Sequence, residues 1–179
     1  MKQIIVLIGL LAVVLRPSGV RADDASNREY QVKAAMIVNF VLFTEWPKDA
    51  FPSNDAPLVI GVVGENPFGN SLEQLSGGKN VGGHALTVKY FSSAQSIDHC
   101  QALFIPKTYN SEVKNILSQM NGQQVLTIGE SDNFPWAGGI IRFYLDDNKI
   151  HFEINPDGAE QAKLKISSKL MKLARIFKK

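Results

Sequence analysis

Apolar residues recur every three or four positions in some stretches of this chain and every two in others, and the switching between those periods predicts its fold. Residues 27–46 carry two helical stripes: Tyr30, Ala34, Ile37 and Val41 form one, and Val32, Met36, Phe40 and Phe43 the other. A helix apolar nearly all round is mostly buried or faces a partner. Lys33 and Asn39 interrupt it and argue against a membrane span, and Pro47 stops it. Residues 58–63 are a β-branched run ending in Gly64, which predicts a strand. Asn66-Pro67 then reads as cap and first position of a short helix through Leu75, closed by Gly77-Gly78. Residues 86–91 alternate as a strand, residues 102–105 read as a buried strand, and residues 125–128 as another. Between the last two, Ser111 stands where it can cap a helix with Val113, Ile116, Leu117 and Met120 on one side, closed by Asn121-Gly122.

The end of the chain has a different grammar. Residues 139–145 and 149–154 read as two strands joined by Asp146-Asp147-Asn148, an antiparallel hairpin. Asn155 before Pro156 caps a short helix, and Ser167 caps a last one. That last helix has an apolar stripe of Ile166, Leu170, Leu173 and Phe177, with Lys165, Lys169 and Lys172 along another side. The predicted class is therefore α/β: a single-domain layered mixed β-sheet flanked by helices, with a C-terminal antiparallel hairpin and a terminal helix. No internal repeat or linker stands out.

The first 22 residues read separately. Lys2 gives a cationic start, residues 4–15 form an apolar run, and Val20-Arg21-Ala22 suits a cut before Asp23. This is the layout of a cleaved secretory signal peptide. The run is too short for the roughly 20 residues that span a bilayer. Residues 1–22 are thus expected to be a signal peptide, and residues 23–179 one exported domain of 157 residues. No cysteine follows the cut, so a lipid anchor is not expected there, and export makes ATP- or NAD-linked chemistry a poor fit. Cys100 is the one cysteine, so no disulfide forms within the chain. Beside the apolar residues 102–105 it reads as a small buried hydrophobe, with a bridge between chains as the alternative.

Charge adds an asymmetry. Without its first 22 residues the chain has 16 basic and 17 acidic residues. Residues 163–179 carry seven basic residues and no acid, while residues 23–162 carry nine basic and 17 acidic. A basic end of this kind either attracts an anionic partner or membrane surface or is a solvated face that neutralises its own domain.

Chemistry-bearing patterns are scarce. His84, His99 and His151 are scattered without ligand spacing, so no metal site is expected. No G-x-S-x-G elbow occurs, and His99 and Cys100, adjacent on a strand, point to opposite faces. Gly61, Gly64 and Gly69 surround a strand-to-helix turn whose N–H groups could face an anion, but the spacing is not G-x-G-x-x-G. Ser76-Gly77-Gly78-Lys79 fails as a Walker loop, because Glu73 stands at the first glycine and Asn80 at the hydroxyl. The basic residues gather without interleaved aromatics, which speaks against nucleic acid. No catalytic residue and no cofactor is expected.

Several blocks of the chain, in order, resemble a known family. They are Lys33-Ala34-Ala35-Met36-Ile37-Val38-Asn39-Phe40 through Trp46-Pro47; Gly61-Val62-Val63-Gly64-Glu65-Asn66-Pro67; Cys100-Gln101-Ala102-Leu103-Phe104-Ile105; Val125-Leu126-Thr127-Ile128-Gly129; Gly138-Gly139-Ile140-Ile141-Arg142-Phe143; Phe152-Glu153-Ile154-Asn155; and Leu164-Lys165-Ile166-Ser167-Ser168-Lys169-Leu170. Together they look like the YfiR family of small periplasmic proteins. The resemblance implies a mixed α/β fold, often a homodimer, and a regulator rather than an enzyme. It implies repression of an inner-membrane sensor, a diguanylate cyclase that sets cyclic-di-GMP and biofilm formation, and relief by an outer-membrane lipoprotein of the YfiB type. Other members lie beside histidine kinases. The best-known member's two disulfides do not carry over to a chain with Cys100 alone.

Site expectations follow. Phe40, Phe43 and Trp46 read as core or as dimer contacts. Arg142 and Glu153, on neighbouring strands, read as a cross-strand ion pair or as a site for a partner or ligand. Lys165, Lys169 and Lys172 are the candidates for an anionic partner, and Asn66, Asn155 and Ser167 are structural caps. The function expected is a docking protein that biases a membrane signalling enzyme. The alternative is a periplasmic solute-binding module, with a crevice formed by the loops after Val63, Ile105 and Ile128.

Overall fold

The computed structural model describes residues 22–178. The signal peptide expected over residues 1–22 therefore lies, but for Ala22, outside the described residues.

The strands that the apolar runs predict form the middle of one eight-stranded sheet. β2 (Leu58–Val63), β4 (His84–Phe91), β5 (Ala102–Ile105) and β6 (Leu126–Gly129) are mutually parallel, in the order β4-β2-β5-β6. β5 and β6 are buried throughout, which is why their sequences do not alternate in polarity: both faces are covered. β7 (Ile141–Asp146) joins β6 in parallel and pairs antiparallel with β8 (Lys149–Ile154). The hairpin loop is two residues, not three, because Asp146 pairs with Lys149. Asp147 and Asn148 have φ of 47° and 57°, the left-handed region that a type I′ turn demands and that Asp and Asn tolerate.

Helices cover the two faces. On one lies α1 (Ala22–Leu42), whose Ala34, Ile37, Phe40 and Val41 pack with Ile60, Val62, Phe104, Ile128, Phe143 and Phe152. On the other lies α3 (Val113–Met120), whose Val113, Ile116 and Leu117 pack with Val63, Leu103, Ile105 and Phe134. Full burial of each of these valine, leucine, isoleucine or phenylalanine side chains stabilises by about 1.5–3 kcal/mol. Phe134 is clamped: a Cβ on either Gly129 or Gly139 would lie 2.2 Å from its ring.

Several boundaries differ from the sequence reading. α1 ends at Leu42, not Trp46, because Thr44 and Glu45 form β1 (Thr44–Glu45), paired with β9 (Lys165–Ile166). Its second stripe divides: Phe40 is buried, whereas Val32 is 49% and Phe43 39% exposed. Asn66 does not cap a helix. Its side chain accepts from Phe68 N at 2.9 Å and donates to Gly69 O at 2.8 Å, closing a local turn. Gly69, with φ of 56°, ends that turn, and α2 (Ser71–Ser76) starts only afterwards. Ser111 is likewise outside α3, whose N-cap position is Glu112; a preceding 3-10 turn, residues 107–109, leads into the helix. β3 (Asn80–Val81) pairs antiparallel with β4 at one sheet edge.

Asn155 caps α4 (Pro156–Gln161), accepting from Gly158 N at 3.2 Å, and Ser167 caps α5 (Ser168–Leu173), accepting from Leu170 N at 3.3 Å. α5 is shorter than its stripe predicts. Arg175 and Ile176 form β10 (Arg175–Ile176), which pairs in parallel with β8 at the other sheet edge, and Phe177 N donates to Ile154 O at 2.8 Å. The unpaired edge of β8 and the carboxylate of Glu153 outcompete one more helical turn, so Phe177 leaves the stripe and Leu173 ends 76% exposed.

Candidate functional site

Two charged constellations stand at the carboxyl end of the parallel strands and on the hairpin beside them. The first is one that the sequence reading missed. Glu130 directly follows β6, and Lys33 faces it from α1. The Lys33 ammonium bonds the carboxylates of both Glu130 and Glu29. Glu130 Oε2 also accepts from Lys107 N at 2.8 Å and from the Tyr30 hydroxyl at 3.2 Å. Lys33 is 5% exposed and Glu130 9%. The ammonium lies 4.6 Å from the Tyr30 ring centroid and 5.9 Å from that of Phe143. Burial, and then the charge of Glu130, hold the Tyr30 hydroxyl well above its ordinary pKa. The sequence does carry a signal for this pair: a lysine on the core-facing stripe of an apolar helix, and an acid directly after a mostly apolar strand. A cavity of about 280 Å³ lies elsewhere, between α3 and α4, and one of about 230 Å³ opens over Lys33, Glu130, Asp132 and Tyr144.

The second constellation is the predicted pair. Arg142 and Glu153 are register partners on β7 and β8, with Arg142 Nε donating to Glu153 Oε1 at 2.5 Å. Arg142 also donates to Asp132 at 2.8 Å, and Arg175 donates to Glu153 Oε2 at 3.1 Å. The Arg175 guanidinium lies 4.0 Å from the Tyr144 ring centroid, and Tyr144 stacks on His151 at 5.6 Å. Glu153 is thus a buried carboxylate held between two guanidinium groups. Asp132 and Tyr144 line the smaller cavity, so the two constellations adjoin.

Other predicted site residues scatter. Phe40 lies 4.8 Å from Phe152 and 5.4 Å from Phe143, ring to ring, and belongs to the core rather than to a dimer contact. Trp46 is half-buried and donates to Gln101 O at 3.1 Å, while Phe43 is exposed. Lys165, Lys169 and Lys172 are exposed and do not join Arg142; of the basic end, Arg175 does. The crevice forms only in part. Lys107 and Glu130, after β5 and β6, line the smaller cavity, but the space over Gly64, after β2, is filled by Tyr109, whose ring a Cβ on Gly64 would meet at 2.5 Å.

The histidines are placed apart: His84 stacks on Phe51 at 3.6 Å, His99 bonds Gln101, and His151 stacks on Tyr144. Among the described residues no group of three His, Cys, Asp or Glu side chains is arranged to hold a metal ion. Cys100 is buried, and that burial pushes its thiol up to about 12, which leaves little thiolate at neutral pH.

The chain is thus a mixed α/β domain whose buried charges are paired with one another beside a small open cavity. The family model described as YfiR/HmsC-like matches residues 30–175, and the chain belongs to that family. Its members are periplasmic regulators that act with a membrane signalling protein. No curated protein matches the sequence. The chain is similar in fold to a conserved domain protein from Vibrio cholerae O1 biovar El Tor strain N16961, known from a crystal structure. The TM-score is 0.54 at 15% identity, over 81% of this chain and 60% of that one. Among the described residues no helix is long and apolar enough to cross a membrane.

Proposed function

We propose that this chain, exported and cut before Asp23, is a periplasmic repressor that docks on the outward-facing portion of an inner-membrane diguanylate cyclase. The observation that carries this reading is the family match across residues 30–175, nearly the whole described domain. Repression then works by binding one conformation of the sensor more tightly than the other. A tenfold change in signalling balance needs about 1.4 kcal/mol of differential affinity. The docking surface proposed is the Arg142–Glu153–Arg175 face of the hairpin, where a partner's carboxylate can compete with Glu153 and Asp132 for the two guanidinium groups. Release by an outer-membrane lipoprotein and pairing into a homodimer belong to the same reading; a histidine kinase in place of the cyclase is its nearest variant.

Deleting the gene and measuring cyclic-di-GMP tests it. The level should rise and return to normal on complementation, and an unchanged level across growth conditions counts against a cyclase partner. The cavity over Lys33 and Tyr144 favours a second reading, solute binding. At about 230 Å³ it lies below the roughly 300–1,000 Å³ of ordinary ligand pockets. A thermal-shift screen separates the two, since a micromolar ligand raises the melting temperature by linkage.

A further inference from the structure

The basic end of the chain is largely unused by the fold. Residues 163–179 hold seven basic residues and no acid. Arg175 is engaged by Glu153, but among the described residues no ion pair involves Lys163, Lys165, Lys169, Lys172 or Lys178, and all five are exposed. α5 buries Leu170 and leaves Lys169, Lys172 and Leu173, one helical face by their spacing, in solvent. Leu173 is 76% exposed and Ile176 36%. Trp136, from the loop before β7, is 63% exposed and is held edge-on against Phe177 with ring centroids 5.0 Å apart. Large apolar side chains and unpaired ammonium groups thus share one end of the molecule.

We propose that this end, formed by α5, β10 and Trp136, docks on the surface of an anionic lipid bilayer. The mixture fits such a surface: Trp and Leu enter the headgroup boundary, while lysines meet the diffuse negative charge of the lipid phosphates. A protein partner fits the five exposed lysines less well, because lysine is depleted from protein–protein interfaces. The rest of the chain, residues 23–162, carries eight more acidic than basic residues, so an anionic surface repels it and orients the basic end downward. Such a lipid contact is open to the chain whichever protein it regulates.

The test uses the chain from Ala22 onward, which holds the whole described fold, floated with vesicles of phosphatidylglycerol and phosphatidylcholine or of phosphatidylcholine alone. Binding to the anionic vesicles should be at least about tenfold stronger and should fall away by 0.5 M salt, where screening is strong. Lys169→Glu/Lys172→Glu, both exposed, should reduce it about tenfold or more while the circular dichroism stays unchanged. Tryptophan emission should shift blue on binding; Trp136→Phe should abolish that shift, because Trp46 is tied to Gln101. Absence of vesicle binding, equal binding to neutral vesicles, or a double variant that binds like the parent overturns the proposal. A cyclic-di-GMP response that survives the double variant bears on the vesicle result not at all, so failure here and failure of the repressor reading are distinguishable.

Discussion

The Lys33–Glu130 pair joins the first helix to the end of a central strand, 97 residues away, and its energetics can be worked from its surroundings. Both side chains are withdrawn from water, at 6% and 5% exposure. Removing one partner of such a pair leaves a buried charge uncompensated and costs about 3–5 kcal/mol, whereas replacing both with neutral groups is often close to neutral. Lys33→Met leaves Glu130 with Lys107 N and the Tyr30 hydroxyl, which places it near the low end, about 3 kcal/mol. Glu130→Gln leaves Lys33 with Glu29, whose side chain is 31% exposed, and a similar cost of about 3 kcal/mol follows. The amide keeps an acceptor for Lys107 N, so the double variant should lose about 2–4 kcal/mol rather than about 6, a coupling of at least about 2 kcal/mol. Urea unfolding of the four proteins reads this directly, from midpoints at constant slope. Each single variant should also melt about 6–12 °C lower. Additivity within about 0.5 kcal/mol would show instead that water reaches the pair and screens it, and that the two charges are not coupled.

Other expectations bear on the same fold. Gly139→Ala drives a methyl into the Phe134 ring and should destabilise by about 3 kcal/mol in urea unfolding, with Phe134→Leu in the same chain recovering part of it. Asn155→Ala removes the α4 cap and two bonds to the buried carbonyls of Pro135 and Gly139; a loss of about 3 kcal/mol is expected, against about 1 kcal/mol for the simpler cap Ser167→Ala. Alkaline stability should fall in two stages. Native Cys100 keeps its proton to about pH 12, whereas the unfolded thiol loses it near 8.5, so stability is full below about pH 8.5 and declines as pH rises toward 12. Tyr30 and Tyr90, both raised first by burial, add a decline that begins near pH 10. Unfolding midpoints at pH 8 and 10.5 should therefore differ less in Cys100→Ala than in the parent, and an equal difference would count against a buried neutral thiol.

The parts of the fold legible in the sequence were those with a local cause. Residues 58–63 and 102–105 read as strands because β-branched and apolar runs bounded by turns have no other short solution. Arg142 and Glu153 were legible as neighbours because a hairpin is local, but the three-residue loop read there would set Arg142 opposite Phe152; pairing of Asp146 with Lys149 shifts the register by one and brings Glu153 opposite. Asn155 and Ser167 declared themselves through the residues that follow them. What escaped was non-local. β1, β3, β9 and β10 are two residues each, too short to show a period, and exist only because an edge was there to pair with. Asn66 carries the same cap chemistry as Asn155, but Gly69 let the chain turn before the helix began. Lys33 read as an interruption of an apolar stripe because its partner lies on the far side of the sequence.

The cover for the first helix comes late. Phe40 finds Phe143 and Phe152, Thr44 pairs with Ile166, and Leu164 and Leu170 complete the same layer. A polypeptide threaded amino end first through a ribosome or a translocation pore can lay that helix on Ile60, Val62 and Phe104 early, but the Phe40 part of its apolar side stays unsheltered until the final stretch emerges. Contacts of such long separation also close slowly. The sequence thereby postpones its own completion, staying loose for the whole of a transit and locking only when the tail is delivered; a chain that stops before the second strand of the hairpin would be left with an open layer and a need for chaperone protection.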